Sequence, residues 1–351
     1  MNSPAAVWLA FLACAALIGA AGYQLSLAGD TIARRTGLSG NWIGLTLIAS
    51  VTSLPELATG ITSVTLAHAP NLAVGNALGS CVLNLAFLVV IDMVHRREPV
   101  WSRASRGHVL AAAFGVVLLG FLLLGLLIGQ LSPTSTEPTT HAPRWNLGLM
   151  TPVMLLLYVV AMKVVFVYER THPAEQANDN AASTLDAAIP PLRRAIVRFA
   201  VSALVVMGAG LWLPFAAVDL AHAMGWNRSF VGSLFVAMAT TLPELAVTLS
   251  ALRLGALDMA IGNLLGSNLF NVTIIAVDDL FYRPGALLAD VSLVHAVTAT
   301  SAIVMTGLAV VGLFFRPRDR VLRAVGAIGA ISLALTAVYL LNTYVIFLHG
   351  T

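Results

Sequence analysis

Apolar residues run along this chain in blocks long enough to cross a bilayer, separated by short polar stretches. A spanning helix takes about 20 mostly apolar residues. Ten blocks meet that length, centred near residues 17, 53, 82, 118, 158, 207, 240, 269, 301 and 335. The first, near Ala5 to Ala28, has no Lys or Arg before it and exceeds the roughly 7–15 residues of a signal-peptide core. It is therefore read as the first spanning helix. The third and eighth blocks contain more Gly, Asn and Ser than lipid-facing helices carry, which places them in the interior, where protein or water tolerates polar groups.

Composition agrees with that reading. The chain has 351 residues, 58% hydrophobic and 10% charged, with a mean hydropathy of +0.88. Soluble domains carry about a quarter charged residues, so the bilayer has to be the solvent. Of the 19 Lys and Arg, 16 fall in one set of loops and helix ends; Arg144, Arg228 and Arg283 alone belong to the other. The positive-inside rule puts the 16 in the cytoplasm and both termini outside. Such a layout points to a bacterial or archaeal plasma membrane, with lipids as the surrounding partner and no nucleic-acid function. Thr171 to Pro191, rich in Ala, Asn, Asp and Pro, reads as a flexible cytoplasmic linker. The expected organisation is a first five-helix unit over 1–170, a linker over 171–191 and a second unit over 192–351. Cys14 and Cys81 lie in apolar runs and form no metal or disulfide motif.

The two units repeat. Leu27 to Ala58 (LAGDTIARRTGLSGNWIGLTLIASVTSLPELA) resembles Ala216 to Ala246 (AAVDLAHAMGWNRSFVGSLFVAMATTLPELA). Ala73 to Phe87 (AVGNALGSCVLNLAF) resembles Ala260 to Ile274 (AIGNLLGSNLFNVTI). Five helices per unit is an odd number, so the second unit enters the membrane upside down. The expected fold is an all-α polytopic membrane protein with ten transmembrane helices in two inverted five-helix repeats, a plan of secondary transporters that bind substrate at the midplane.

Two pairs of motifs carry the chemistry. Thr52-Ser53-Leu54-Pro55-Glu56 and Thr240-Thr241-Leu242-Pro243-Glu244 sit in mid-span. Proline lacks an amide proton and clashes with the preceding turn, so each helix is expected to break there. The carbonyls near Ala49 and Ala237 would then lose their partners and coordinate a cation, with Thr and Ser hydroxyls adding the neutral oxygens that hard cations favour. The same residues also match a capping box, Ser53-x-x-Glu56 and Thr241-x-x-Glu244, that would merely restart a helix. A carboxylate in the bilayer centre is costly, however, and two at symmetric positions favour an ion site. The second pair is Gly75-Asn76-x-x-Gly79-Ser80-Cys81-x-x-Asn84 and Gly262-Asn263-x-x-Gly266-Ser267-Asn268-x-x-Asn271. Each holds a G-x-x-x-G of close helix packing. Ser80 and Asn84, like Ser267 and Asn271, lie one turn apart on one face, where their oxygens favour ion coordination over interhelical glue.

Asp30, Asp92, Asp219 and Asp279 fall near helix ends and read as interfacial or pathway charges. His68, His95, His108 and His222 read as loop or interface residues. Neither G-x-S-x-G nor H-E-x-x-H occurs, so no enzyme chemistry is expected.

These motifs resemble the alpha repeats of the cation/calcium exchanger superfamily, particularly its prokaryotic sodium/calcium exchangers. The resemblance implies overlapping cation sites and no cofactor, only transported Ca2+ and Na+. Glu56 and Glu244 would hold Ca2+ with Thr52 and Thr240. Na+ would use the Ala49 carbonyl, Ser53, Ser267 and Asn84 on one side, and the Ala237 carbonyl, Thr241, Ser80 and Asn271 on the other. Three departures from the family pattern matter. Val51 and Ala239 replace the usual Gly before the motif threonine. Asn271 stands where several prokaryotic members have Asp. Leu78 and Leu265 stand where proton-coupled calcium exchangers carry an acid after G-N, which favours Na+ over H+ as the coupling ion.

Two neighbouring carboxylates stay ionised cheaply only with a cation between them. Mutual exclusion between Ca2+ and Na+ then couples the two fluxes. The expected function is Na+/Ca2+ antiport by alternating access, with helices 1 and 6 sliding past helices 2, 3, 7 and 8, as the resemblance implies. A proton-coupled or other divalent-cation antiporter on this scaffold is the alternative.

Overall fold

In the computed structural model, residues 4–94, 101, 104–131, 148, 150–172, 190–224, 236–315, 323–325 and 328–349 are described. Most of the expected linker lies outside them. The described helices are α1 (Pro4–Thr36), α2 (Gly40–Thr52), α3 (Leu54–Thr65), α4 (Pro70–Val94), α5 (Gly107–Leu131) and α6 (Met150–Thr171) in the first half. The second half has α7 (Leu192–Met224), α8 (Val236–Thr240), α9 (Leu242–Arg253), α10 (Leu257–Phe281), α11 (Val294–Phe315) and α12 (Ala330–His349). A short hairpin of β1 (Arg323–Val325) and β2 (Ile328–Gly329) precedes α12.

Eight of these helices are long and apolar enough to span, and α2 with α3 makes a ninth span bent by 41°. The pair α8 and α9 occupies the equivalent place in the second half. Both breaks have the expected cause. Pro55 and Pro243 sit in the first turn of α3 and α9, where the missing amide costs nothing but the preceding helix cannot continue through the ring. A π turn over Gly44–Ile48 inside α2 has no counterpart in the sequence reading. It falls where α2 and α10 meet backbone to backbone: a Cβ on Gly44 would collide with the Met259 carbonyl, and one on Gly266 with the Leu45 carbonyl.

As expected, α4 and α10 are interior. Their apolar windows are 67% and 89% buried, against at most 44% for the other spans. They cross at Cys81 and Asn268, which are equivalent positions of the two repeats. Asn268 Nδ2 donates to the Cys81 carbonyl at 3.2 Å and Cys81 Sγ to the Asn268 carbonyl at 3.8 Å. Equivalent residues can exchange bonds in this way only on the axis that relates the halves.

A second feature obeys the same axis. At the start of α5, the Ser105 amide and His108 Nε2 both bond Asp258 Oδ1, at 2.7 Å each. At the start of α11, the Ser292 amide and His295 Nε2 both bond Asn71 Oδ1, at 2.7 and 3.1 Å. Each of these three pairs of equivalents, like Cys81 and Asn268, is 187 residues apart. His108 is thus a fully buried helix residue, not the loop or interface residue that its polarity suggested.

The ends that carry Arg34, Arg35, Arg106, Arg170, Arg193, Arg194 and Arg253 share one face. Asn41 donates to Glu169 at 2.7 Å, Arg35 to the Pro190 carbonyl at 3.0 Å, and Asp258 binds Ser105 and His108 as above. Asp92 and Asp279 tie helix ends to neighbouring segments. Asp92 accepts from Ser332 at 2.6 Å, and Asp279 accepts from Thr151 and from the Gly148 and Leu287 amides. Asp30 pairs with Arg34 at 3.0 Å. The long helices α1 and α7 lie against one another and across the broken spans. Their contacts to the rest are small: Gly22 against Val247, Gly210 against Pro55, and Ser26 Oγ on the Val247 carbonyl at 3.1 Å.

Candidate cation site

The two helix breaks face each other across α4 and α10, and bring Glu56 and Glu244 fully inside the protein. Their side chains cross between repeats. Ser53, the last residue before α3, donates to Glu244 Oε1 at 2.9 Å, and the Thr52 and Ser267 hydroxyls lie beside the same carboxylate. Around Glu56 stand the Thr240 and Ser80 hydroxyls, Ser80 at 3.5 Å from Oε1 and 3.1 Å from Thr241 Oγ1. The two carboxylates are near enough to repel each other.

This geometry removes the capping-box reading. Neither Ser53 nor Thr241 makes a side-chain cap bond to its own helix. The Ser53 hydroxyl is spent on a carboxylate of the other repeat, leaving the helix restart to proline alone. The expectation of freed carbonyls is corrected at Ala49. Its oxygen accepts from the Ser53 amide at 3.0 Å and from Thr52 Oγ1 at 3.2 Å. The reason is register: the amide that Pro55 lacks is the one that would reach Val51, four residues back. Ala237 sits in α8, the equivalent of the last turn of α2.

Ten of the twelve predicted residues thus bring buried polar side chains to this region: Glu56, Glu244, Thr52, Thr240, Ser53, Thr241, Ser80, Ser267, Asn84 and Asn271. Several of their oxygens have no hydrogen-bond partner: Glu56 Oε2, Glu244 Oε2, Asn84 Oδ1, Asn271 Oδ1 and Ser267 Oγ. Each unsatisfied buried polar group costs about 1–3 kcal/mol, so this concentration is unfavourable unless something positive sits among them. Among the described residues no group of three or more His, Cys, Asp or Glu converges. A cation here would be held by two carboxylates and neutral oxygens, the donor set of a hard ion.

Sequence reasoning missed the residues that aim these donors. Asn268 Oδ1 accepts from Asn84 Nδ2 at 3.1 Å, which turns the Asn84 carbonyl oxygen free. Asn263 Oδ1 accepts from Thr52 at 3.4 Å, and its Nδ2 donates to Thr248 at 3.0 Å and to the Glu244 carbonyl at 3.3 Å. Asn76 Oδ1 accepts from Thr240 at 3.2 Å. The available signal was the asparagine of G-N, present in both repeats at matching positions.

Known proteins share this architecture. The chain is 26% identical over 268 residues to inner membrane protein YrbG of Escherichia coli, covering 75% of this chain and 76% of that protein. It is 27% identical over 276 residues to sodium/calcium exchanger MaX1 of Methanosarcina acetivorans, covering 72% and 77%. A solved structure of the sodium-calcium exchanger NCX_Mj superposes with a TM-score of 0.67 at 21% identity, over 96% of this chain and 97% of that one, which establishes the fold. The model of the sodium/calcium exchanger protein family matches residues 6–167 and 194–348, nearly the whole of both halves, and this chain belongs to that family.

Proposed function

We propose that this protein exchanges Na+ for Ca2+ across the plasma membrane by alternating access, using one central site alternately for the two ions. The observation that carries the reading is the set of unpartnered buried oxygens around Glu56 and Glu244. Ca2+ would be held by the two carboxylates with Thr52 and Thr240. Na+ ions would take the Glu244 side, with Ser53, Ser267, Asn84 and the Ala49 carbonyl, and the Glu56 side, with Thr241, Ser80, Asn271 and the Ala237 carbonyl. Since Ala49 O is engaged by Thr52 and Ser53, its use requires Thr52 to turn away, a rotation that would exchange a protein bond for an ion contact. Repulsion between the carboxylates disfavours a bare site, so release of one ion waits on arrival of the other. The name of MaX1 and the Na+ and Sr2+ soaks of NCX_Mj support the same pair of ion types here.

In this reading the units are 1–170 and 192–351, joined by 171–191, with the arginine-rich face in the cytoplasm and both termini outside. The paired helices α1 and α7 would slide across the core on their glycines, switching which face of the site is open.

Purified protein in Na+-loaded liposomes should take up radioactive Ca2+ when Na+ is absent outside. Glu56→Gln and Glu244→Gln should each abolish that uptake. Uptake driven by a pH gradient with no Na+ present would replace Na+ by H+ in this scheme.

A further inference from the structure

One ionisable group inside the membrane, Asp278, belongs neither to the central site nor to the helix-end contacts of Asp92 and Asp279. Asp278 lies in α10, just before that helix ends at Phe281. It is fully buried, and neither carboxylate oxygen has a hydrogen-bond partner. Its neighbour Asp279, by contrast, is saturated with donors. An isolated buried carboxylate is too costly to keep charged, so it takes up either a proton or a metal cation.

Its position says which partner. Asp278 packs on Gly60 of α3, where any Cβ would collide with both carboxylate oxygens. Gly60 is one turn beyond Glu56 on the same face of α3, about 6 Å further along the axis, and the buried Ser63 follows on that face. On α10, Asp278 continues the stripe of Ser267 and Asn271, about 10 Å beyond Asn271. Both helices run away from the arginine-rich face, so the carboxylate stands between the central site and the opposite face. The equivalent of Asp278 in the first half is Ile91, itself fully buried. Packing therefore does not require an acid at this place in the fold, and the equivalent place toward the arginine-rich face is apolar.

We propose that Asp278 is a cation waystation: a single-carboxylate site for Ca2+ or Na+ on the path between the Glu56/Glu244 site and the face opposite the arginine-rich loops. Gly60 leaves room for the carboxylate itself between α3 and α10, and its charge would raise the local cation concentration on that side. The proposal rests on the exchanger reading above.

Asp278→Asn and Asp278→Glu would be reconstituted and assayed from each membrane face, beside Glu56→Gln. Asp278→Asn should raise the half-saturating Ca2+ concentration about fivefold or more at the face opposite the arginines. The maximal rate and the constant at the arginine-rich face should stay within about twofold, and Asp278→Glu should restore most of the loss. A second measurement does not depend on the variant folding. Modification of Asp278 by a hydrophobic carbodiimide, read by mass spectrometry, should be slowed by Ca2+ alone or Na+ alone. That protection should survive in the Glu56→Gln/Glu244→Gln protein. Unchanged constants at both faces, an equal change at both, or labelling indifferent to cations would overturn the waystation. Exchange that survives Glu56→Gln would instead overturn the central-site reading, so the two failures are distinct.

Discussion

Ser53 joins the two repeats at the site. Its hydroxyl crosses from one repeat to the carboxylate of the other, and a hydrogen bond to a charged group is worth about 1.5–3 kcal/mol. Ser53→Ala keeps the proline break and the fold, so its effect should fall on ion binding. Half-saturating Ca2+ should rise by about 10- to 100-fold while the melting temperature stays within a few degrees, checked by uptake assays and thermal unfolding in detergent. Glu56, Glu244, Ser80, Asn84, Ser267 and Asn271 were legible at this scale because a polar residue in mid-span is expensive and duplication marks it twice. Asp278 was not. Its equivalent Ile91 is apolar, so duplication does not mark it, and it stands beside Asp279 at a helix end.

Helices here are held together by what they lack. Where α2 meets α10, Gly44 and Gly266 let the Met259 and Leu45 carbonyls approach to positions that a methyl group would occupy. Backbone atoms cannot rotate out of the way as a long side chain can, so Gly266→Ala should force the two helices apart. The expected result is a melting temperature lowered by about 5 °C or more and loss of exchange, since Ser267 and Asn263 move with α10. Gly208→Ala in α7 is the control, because no atom lies within 4 Å of its new Cβ; its melting temperature should be unchanged. The G-x-x-x-G spacing announced this contact, and the prolines announced both breaks. The π turn at Gly44–Ile48 left no trace in the pattern. One extra residue in a helical turn changes no hydrophobic period over so short a stretch, and the turn coincides with a contact to α10 that is remote in sequence.

Across the whole molecule, inversion places equivalent residues at opposite membrane faces, where each half can serve as a template for the other. The clamp at the arginine-rich face uses Asp258 to hold the Ser105 amide and His108. Its equivalent at the far face does the same with the neutral oxygen of Asn71. The Ser105 and His108 bonds share Asp258 Oδ1 just as the Ser292 and His295 bonds share Asn71 Oδ1, so these bonds themselves do not require charge. Asp258→Asn should then preserve the junction of α5 and α10, giving a folded, active protein with a modest loss of stability from the weaker, uncharged acceptor. Asp258→Ala leaves the Ser105 amide and a buried imidazole without that acceptor, at about 1–3 kcal/mol for each unsatisfied group. Thermal unfolding of the two variants beside the unmodified protein should rank Asp258→Ala well below Asp258→Asn. Equal melting temperatures for the two would mean that the carboxylate charge, not the shared oxygen geometry, holds this face together, and that the halves had diverged in how they close.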